Sequence, residues 1–409
     1  MRGSTMVRRI LATVATVATV ATAALAVTVG TTPTAAAARP EPAMPRLATA
    51  GQLLTRSAAN TAPPPVRNIV GTVAVGDRYP YVFTIGTDGN LWINWQDQTQ
   101  GWNWSDMGTP PGVGIRMPVG VTIVDTFSRP YAFVLGTDGN LWSLWRSATA
   151  WQWRNQGAPP GANFVSWPSF AAIAVDGTSP YIFVRSDGDE TIWVNRWNGA
   201  VWSWANLGSP PDGISAYGPL GVLLEEGTPQ VYVVGNHGHL WSTRVDGHAA
   251  IWNDLGNPGV NLDSGSNALG AQNAIQVAPD ARPYLFALGF DQNAWIRWRS
   301  GAGWQWHNLG SPPGQTLVSA PLGVLSVDGT SPFSFHRTGE GGLWINYWDG
   351  SNWYWSDQNP PFQPSGGGSA VVAPQNSSRP ALFLLDTGGN LWSRWWNGSW
   401  WNWTNRSAT

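Results

Sequence analysis

The motif Asp138-Gly139-Asn140-Leu141-Trp142 recurs, with variation, seven times along this 409-residue chain. Successive copies lie 48 to 54 residues apart, measured between their leading tryptophans. A repeat of that length indicates an array of similar supersecondary units rather than two or three unrelated domains. The leading tryptophans are Trp92, Trp142, Trp193, Trp241, Trp295, Trp344 and Trp392.

Each unit contains four short β-rich runs, most clearly the second unit. Its runs are Gly120–Val124, Tyr131–Leu135, Leu141–Trp145 and Trp151–Asn155, and a Pro-Gly loop at 157–161 follows them. The Asp-Gly pair between the second and third runs predicts a tight antiparallel hairpin, because glycine adopts the positive φ that the turn needs. Proline lacks the backbone donor of a strand, so the Pro-Gly loops separate the units.

We therefore predict an all-β fold, a seven-bladed β-propeller of four-stranded antiparallel blades. An open β-solenoid is the alternative, disfavoured because its strands are parallel whereas Asp-Gly hairpins are antiparallel. The array begins with a first strand and ends with a fourth, so we expect the ring to close by packing between the first and last units. The predicted units span about 66–115, 116–165, 166–217, 218–265, 266–318, 319–366 and 367–409.

The first 38 residues have the composition of an export signal. Arg8 and Arg9 precede an apolar stretch over Ile10–Val29, and small residues follow at Ala35–Ala38. We predict a signal peptide at 1–38 and a secreted protein, with an uncleaved membrane anchor as the alternative. Residues 39–65 are rich in Ala and Pro and are predicted to form a linker.

Composition excludes several kinds of chemistry. The chain has no Cys and no Lys, so disulfides, thiolate nucleophiles and lysine Schiff bases are impossible. Only 11% of residues are charged and the formal net charge is −2, which leaves no basic surface for nucleic acid. Core burial and closed topology must therefore hold the chain together.

Some recurring residues are expected to shape turns. An Asp or Asn stands two residues before the loop glycine of most units, where its side chain can accept the backbone N–H two residues on. Asp88, Asp138 and Asp187 are expected to do the same in the hairpins. The loop residues in question are Asp106, Asn155, Asn206, Asp254, Asn308 and Asp357.

The 29 tryptophans fall into two groups. The leading Trp and the equivalents of Trp104 persist in every unit, including the divergent fourth, and are predicted to pack between blades. Unit four has Arg244-Val245 and Ala250 where other units carry further tryptophans, so those others are candidates for a role besides folding. The candidate sugar-binding residues are Trp95, Trp102, Trp145, Trp151, Trp197, Trp202, Trp298, Trp304, Trp348, Trp353, Trp396 and Trp401.

An indole suits a saccharide because it offers a large, rigid apolar face with a negative quadrupole to the C–H groups of a sugar ring. Repetition around a ring would give several weak sites and strong combined binding, because linked sites raise the effective concentration. The alternative is that these indoles only fill gaps between blades. We expect unit four to contribute no competent pocket.

The composite motif resembles one known family. The elements Arg129-Pro130-Tyr131, 137–142, Trp151-Gln152-Trp153 and 157–161 are similar to those of Photorhabdus-type seven-bladed propeller lectins, and more distantly to tectonin-type repeats and fungal fucose lectins. The resemblance covers about 66–409. It implies a secreted, oligomeric lectin with sugar pockets between adjacent blades that prefer fucose or O-methylated glycans. Unit four departs from the motif.

Two other functions are compatible with a propeller, namely a glycoside-acting enzyme and a structural or adhesion protein. A glycosidase needs a positioned carboxylate pair, and the five glutamates, Glu41, Glu190, Glu225, Glu226 and Glu340, suggest none. A structural or adhesion propeller that binds a protein partner would also use flat, Trp-rich clefts. His237 and His239 share one strand face and could seed a metal site, but we interpret His237-Gly238-His239 as a divergent hairpin. We therefore expect no enzyme, no cofactor and no metal.

Overall fold

A computed structural model describes residues 63–407 apart from several short segments. The segments left out are 76–78, 98–100, 125–128, 148–149, 165–169, 248–249, 264–272, 278–281, 301–302, 328, 374–379, 397–398 and 400. The predicted signal peptide at 1–38 and residues 39–62 of the predicted linker lie outside the described residues.

The predicted seven-bladed β-propeller is confirmed. Seven sheets follow one another along the chain, and in each the four main strands pair antiparallel in sequence order. Over the described ranges no residue is helical, and there is accordingly no apolar helix of membrane-spanning length.

The 29 strands are numbered in chain order. Blade 1 contains β1 Val66–Val75, β2 Tyr79–Gly86, β3 Leu91–Gln96 and β4 Trp102–Asp106. Blade 2 contains β5 Ile115–Val124, β6 Arg129–Gly136, β7 Leu141–Arg146 and β8 Trp151–Gly157. Blade 3 contains β9 Asn163–Phe164, β10 Phe170–Val175, β11 Ser179–Asp187, β12 Ile192–Trp197 and β13 Trp202–Gly208. Blade 4 contains β14 Ala216–Glu225, β15 Thr228–Gly235, β16 Leu240–Arg244 and β17 Trp252–Gly256.

The last three blades follow the same plan. Blade 5 contains β18 Ala274–Val277, β19 Arg282–Leu288, β20 Ala294–Ser300 and β21 Gly303–Gly310. Blade 6 contains β22 Gly323–Val327, β23 Ser331–Arg337, β24 Leu343–Trp348 and β25 Trp353–Asp357. Blade 7 contains β26 Pro364–Val372, β27 Ala381–Asp386, β28 Leu391–Trp396 and β29 Trp401–Asn405.

Some first strands are longer than the sequence pattern predicts. β5 starts at Ile115 rather than Gly120, and its pairing with β6 shifts register twice before Gly120. Such bulges place two residues opposite one, so the alternation of apolar and polar residues that marks a strand is lost there. In blade 3 the short strand β9 pairs with the far end of β11 and forms a fifth strand.

The core lies between blades rather than within one sheet. The second strand of every blade contributes one fully buried aromatic ring, and each packs against apolar residues of the next blade. Burying a ring of this size stabilises the fold by about 2–3 kcal/mol. These rings are Phe83, Phe133, Phe183, Tyr232, Phe286, Phe335 and Phe383.

A second set of contacts ties adjacent blades together by hydrogen bonds. Trp153 Nε1 donates to the Met107 carbonyl of the preceding blade at 3.1 Å. Five other blades repeat this bond from the equivalent tryptophan to the equivalent carbonyl, at 2.8 to 3.0 Å. The predicted packing role of the Trp104 equivalents is therefore confirmed. The five donors are Trp104, Trp204, Trp252, Trp355 and Trp403.

The turn roles predicted for the Asx residues are also confirmed. Asp106, Asn155, Asn206, Asp254, Asn308 and Asp357 each accept the backbone N–H two residues on, at 2.7 to 2.9 Å. In the hairpins, Asp88 accepts the backbone N–H of Asn90 at 3.0 Å and the indole N–H of Trp92 at 3.1 Å. Asp187 differs, because it accepts the N–H of the next residue, Gly188, at 3.1 Å, and Asp189 accepts the N–H two residues on, from Thr191 at 3.4 Å.

The ring closes by packing between blades 7 and 1, as expected. Blade 7 is built only from strands late in the chain, so no strand is exchanged. Val66 N–H donates to the Gly389 carbonyl at 2.7 Å, and Trp104 Nε1 donates to the Arg406 carbonyl at 2.8 Å. Phe383 and Trp92 belong to one apolar cluster that joins the two blades.

Candidate functional site

The clefts between adjacent blades collect side chains from both neighbours. Side chains alternate along the third strand, so Trp92 packs toward blade 7 whereas Trp95 packs toward blade 2. Trp151, from the fourth strand of blade 2, reaches the same apolar cluster as Trp95. Each cleft is therefore lined by the third strand of one blade and by the third and fourth strands of the next.

The cleft between blades 5 and 6, called cleft 5/6, holds a cavity of about 430 Å³. Trp298 of blade 5 and Trp348 and Trp353 of blade 6 line it, all three only partly buried. Trp298 stacks on Tyr284 at 6.0 Å and 22°. Three candidate indoles thus meet in one concave space that solvent reaches.

Cleft 6/7 repeats the arrangement with one substitution. Its cavity of about 390 Å³ is lined by Trp396 and Trp401 of blade 7 and by Tyr347 and Phe333 of blade 6. Tyr347 stands at the position that Trp298 occupies in cleft 5/6 and stacks on Phe333 at 5.4 Å and 24°. An aromatic stack beside two indoles is therefore common to both clefts.

Polar groups stand beside the aromatic walls. Gln305, His307 and Thr330 line cleft 5/6, and Ser356 lines cleft 6/7. Hydroxyl, amide and imidazole groups can both donate and accept hydrogen bonds. The two clefts therefore combine flat apolar surface with a few hydrogen-bonding groups, which is typical of sites for small polar ligands.

The candidate tryptophans, which the sequence placed in one group, are of three kinds. Trp95, Trp145 and Trp298 follow the leading Trp by three residues, whereas Trp197, Trp348 and Trp396 follow it by four. One residue of offset turns a side chain to the opposite side of the strand. The sequence-based grouping of these six as equivalents was therefore wrong. A tryptophan three residues after the leading Trp of one blade nevertheless faces the same cleft as a tryptophan four residues after the leading Trp of the next blade, as Trp298 and Trp348 do in cleft 5/6.

The third kind consists of the fourth-strand tryptophans, and it has a packing role. Each of the six rests against the fully buried ring of the preceding blade, with ring centroids 6.0 to 6.4 Å apart. The expectation that these residues are separate from folding is therefore corrected. The contacts are Trp102–Phe383, Trp151–Phe83, Trp202–Phe133, Trp304–Tyr232, Trp353–Phe286 and Trp401–Phe335.

Cleft 1/2 contains a polar group that the sequence did not single out. Arg146 is 9% exposed, its guanidinium lies 5.9 Å from the ring of Trp151, and its Nε has no hydrogen-bond partner in the described part of the chain. Burial lowers the pKa of Arg146 and raises that of Tyr81 across the cleft. A buried donor without a partner can bind a hydroxyl or carboxylate oxygen of a ligand.

The second-strand tyrosines beside these indoles were also missed, and one of them, Tyr284, lines cleft 5/6. Tyr81, Tyr131 and Tyr284 lie beside Trp95, Trp145 and Trp298, at centroid distances of 5.9 to 6.0 Å. The recurring Pro-Tyr pair, as in Arg129-Pro130-Tyr131, was the available signal. Cross-strand register explains the contact, because each tyrosine pairs directly with its tryptophan.

Cleft 3/4 has none of the three indoles. Arg196, Val245 and Ala250 occupy the three positions that Trp298, Trp348 and Trp353 hold in cleft 5/6. Val245 is buried and, with Ala250, packs in the apolar cluster of Phe183. Two of the three positions therefore carry aliphatic side chains that pack with Phe183 in place of indoles.

The glutamates considered for catalysis are engaged in other contacts. Glu190 pairs with Arg185 at 2.7 Å, and Glu226 lies 3.8 Å from Arg244. Glu225 accepts a hydrogen bond from the Tyr232 hydroxyl and lies 3.8 Å from Arg299. Glu340 accepts from Gln315 Nε2 at 3.1 Å, and Glu41 lies outside the described residues.

The fold and clefts define a seven-bladed propeller with aromatic clefts between its blades. No protein-family model and no curated protein sequence matches the chain. Among solved structures, the chain is similar to BP39L lectin from Burkholderia pseudomallei, with 19% identity, a TM-score of 0.62, and coverage of 83% of this chain and 98% of that one. At this identity the similarity establishes the fold alone.

Weaker structural similarities extend to other propeller proteins. Aleuria aurantia lectin, solved as a variant in complex with Fucα1-6GlcNAc, has 13% identity and a TM-score of 0.47 over 69% of this chain and 94% of that one. SapL1 lectin in complex with α-methyl fucoside has 13% identity and a TM-score of 0.45 over 73% and 98%.

Proposed function

We propose that this protein is a carbohydrate-binding lectin whose sugar sites are the aromatic clefts between blades. The observation that carries the proposal is cleft 5/6, where Trp298, Trp348 and Trp353 surround one cavity of about 430 Å³. A pyranose ring presents an apolar C–H patch to an indole and a rim of hydroxyls to the polar groups beside it. BP39L lectin shares the fold.

The proposal includes several sites on one molecule. Cleft 6/7 repeats the aromatic arrangement, and the other candidate tryptophans recur around the ring. Linked weak sites bind a surface that displays many copies of a glycan far more tightly than they bind a free sugar. We further propose a non-enzymatic, secreted lectin for fucosylated or O-methylated glycans, on the basis of the motif resemblance and the export-signal composition of 1–38. Assembly into a homo-oligomer is a further expectation, measurable by light scattering.

A glycan array probed with the chain from residue 39 onward tests the proposal. We expect binding to fucosylated or O-methylated glycans, with competition by free methyl α-fucoside or by O-methylated monosaccharides. The double variant Trp298→Ala and Trp348→Ala should lose one site in a calorimetric titration with the free sugar. Phe290→Ala is the matched control, because Phe290 is an aromatic residue of the same blade that is 66% exposed and lines neither cavity.

Two outcomes would overturn the proposal. Binding of a protein partner without competition by any sugar would favour an adhesion propeller. Turnover of an aryl glycoside would favour an enzyme and would require a carboxylate pair. Secretion is tested separately, by the N-terminal sequence of protein recovered from culture medium, so its failure leaves the lectin proposal untouched.

A further inference from the structure

The hairpin of blade 4 differs chemically from the hairpins of the regular blades. Where blade 2 has Asp138-Gly139-Asn140, blade 4 has His237-Gly238-His239. In blade 2 the Asp138 carboxylate accepts the indole N–H of Trp142 at 3.1 Å. In blade 4 the equivalent Trp241 Nε1 is buried and has no partner among the described residues. The histidines therefore do not replace the structural bond made by the aspartate.

The two imidazoles lie beside a carboxylate. The ring centroids of His237 and His239 are 4.3 Å apart, and His239 Nδ1 lies 3.0 Å from an oxygen of Asp254. One potential ligand atom from each of the three residues lies within 4.8 Å of the others. His237 Nδ1 is buried without a hydrogen-bond partner in the described ranges.

We propose that His237, His239 and Asp254 form a binding site for a borderline divalent transition metal such as Zn²⁺. Two imidazoles and one carboxylate are ligands that this class of ion prefers, whereas Ca²⁺ and Mg²⁺ favour all-oxygen sites. Ligands in tetrahedral zinc sites lie about 3.4 Å apart, since each bond is about 2.1 Å long. Small side-chain rotations therefore bring these three groups to bonding distance, and water can complete the coordination.

The backbone holds this turn in place. Gly238 has a φ of 84°, which is unfavourable for other residues, and a Cβ there would lie 2.5 Å from the Asn261 side chain. Leu262 N–H donates to the Gly238 carbonyl at 3.0 Å. The two histidines that flank this glycine therefore have a fixed backbone, so metal binding restricts only rotations about side-chain bonds.

The site joins the hairpin between β15 and β16 to Asp254, the central residue of β17. It lies before the first residue of β16, whereas Arg244 and the cleft positions lie at the other end of that strand, about 15 Å away. A metal bound here would link the third and fourth strands of blade 4, β16 and β17. Blade 4 is the blade that lacks the fourth-strand indole found at the other six interfaces. Because it binds the folded state, the metal should raise the melting temperature.

Titration of untagged, EDTA-dialysed protein with ZnCl₂ and with CoCl₂ tests the proposal. We expect one saturable site, visible d–d absorption of tetrahedral Co²⁺, and a higher melting temperature in zinc. The variant His237→Asp with His239→Asn rebuilds the hairpin of blade 2 and should fold. Loss of a group that only supports a metal ligand lowers metal affinity about tenfold to hundredfold. This variant removes two ligands, so its zinc affinity should fall by more than that.

Asp254→Asn copies Asn155 of blade 2 and retains the turn-forming oxygen, so it should weaken zinc binding without loss of the fold. Absence of a saturable site in the wild-type chain would overturn the proposal. Equal zinc affinity and stoichiometry in the rebuilt double variant would overturn it as well, because the metal would then be bound elsewhere.

Discussion

Clefts 5/6 and 3/4 are equivalent interfaces between adjacent blades, but different side chains occupy them. Cleft 5/6 holds Trp298, Trp348 and Trp353 around an open cavity, and the equivalent positions in cleft 3/4 hold an arginine and two small aliphatic residues. Both interfaces keep the indole hydrogen bond between blades, from Trp355 to the Leu309 carbonyl and from Trp252 to the Leu207 carbonyl.

The comparison separates the contacts that hold adjacent blades together from the indoles that are present in only one of the two clefts. The inter-blade hydrogen bond and a buried second-strand ring persist in both interfaces, so these hold adjacent blades together. The three cleft indoles are absent from one interface, and the blades still pack there through Val245 and Ala250. The central claim is that the third-strand indoles of a cleft, such as Trp298 and Trp348, are surplus to cohesion and available to a ligand.

The largest expected effect comes from a packing indole. Trp355→Ala removes the bond to the Leu309 carbonyl and the edge contact with His336 at 4.9 Å, so we expect a loss of about 3–5 kcal/mol in the free energy of unfolding. Urea denaturation measures it. A loss below that of Trp348→Ala would contradict the division between packing and cleft indoles.

Acid should affect blade 6 through a buried histidine. His336 is 1% exposed, and burial lowers its pKa to about 3. The histidine of the unfolded state takes up a proton near pH 6.5, whereas His336 in the folded state does not. The free energy of unfolding is therefore highest above that pH and falls by about 3 kcal/mol on acidification to pH 4.

The variant His336→Val copies Val233, its buried equivalent in blade 4, and should remove this part of the acid dependence. Urea midpoints at pH 7, 5.5 and 4 provide the comparison. Equal slopes in the two proteins would show that His336 does not carry the effect. Aspartates whose pKa is lowered, such as Asp138, begin to lose their stabilising effect below about pH 5, so the comparison with His336→Val, in which they are unchanged, separates their contribution.

A smaller effect is expected in cleft 1/2. Arg146→Gln copies Gln96, the equivalent residue of blade 1, and removes the unpaired guanidinium donor. We expect sugar affinity at this cleft to fall about tenfold, or about 1.4 kcal/mol, with unfolding free energy changed by less than that. Calorimetry with a free sugar measures the first quantity and urea denaturation the second. Unchanged affinity at every site would remove Arg146 from the candidate contacts.

The smallest effect is expected from rebuilding one wall of cleft 3/4. Ala250→Trp restores the indole that would rest on Phe183, as Trp202 rests on Phe133. We expect stability to change by less than about 1 kcal/mol and the number of sugar sites to stay the same, because Arg196 and Val245 still fill the other positions. An added sugar site would show that the fourth-strand indole alone suffices.

Periodicity was enough to predict the fold. The spacing of the leading tryptophans, the Asp-Gly hairpins and the Pro-Gly loops are local signals, and local turn chemistry determines an antiparallel meander. The starts of some first strands were missed, because bulges near Gly71 and its equivalents interrupt the alternation that marks a strand.

The candidate site was harder to predict because its walls come from two blades. Counting tryptophans grouped Trp95 with Trp348, although one residue of offset sends them to opposite sides of their strands. The packing role of Trp353 depends on Phe286, a contact across blades that no spacing within one unit reveals. Arg146 was overlooked for a similar reason, since the lack of a hydrogen-bond partner for its Nε among the described residues is a property of the folded cleft.

A crystal soaked with methyl α-fucoside or an O-methylated sugar tests the central claim most directly. The account predicts ordered sugar against Trp298 and Trp348 in cleft 5/6 and none against Val245 and Ala250 in cleft 3/4. Sugar bound in cleft 3/4, or bound to the protein with cleft 5/6 vacant, would contradict it.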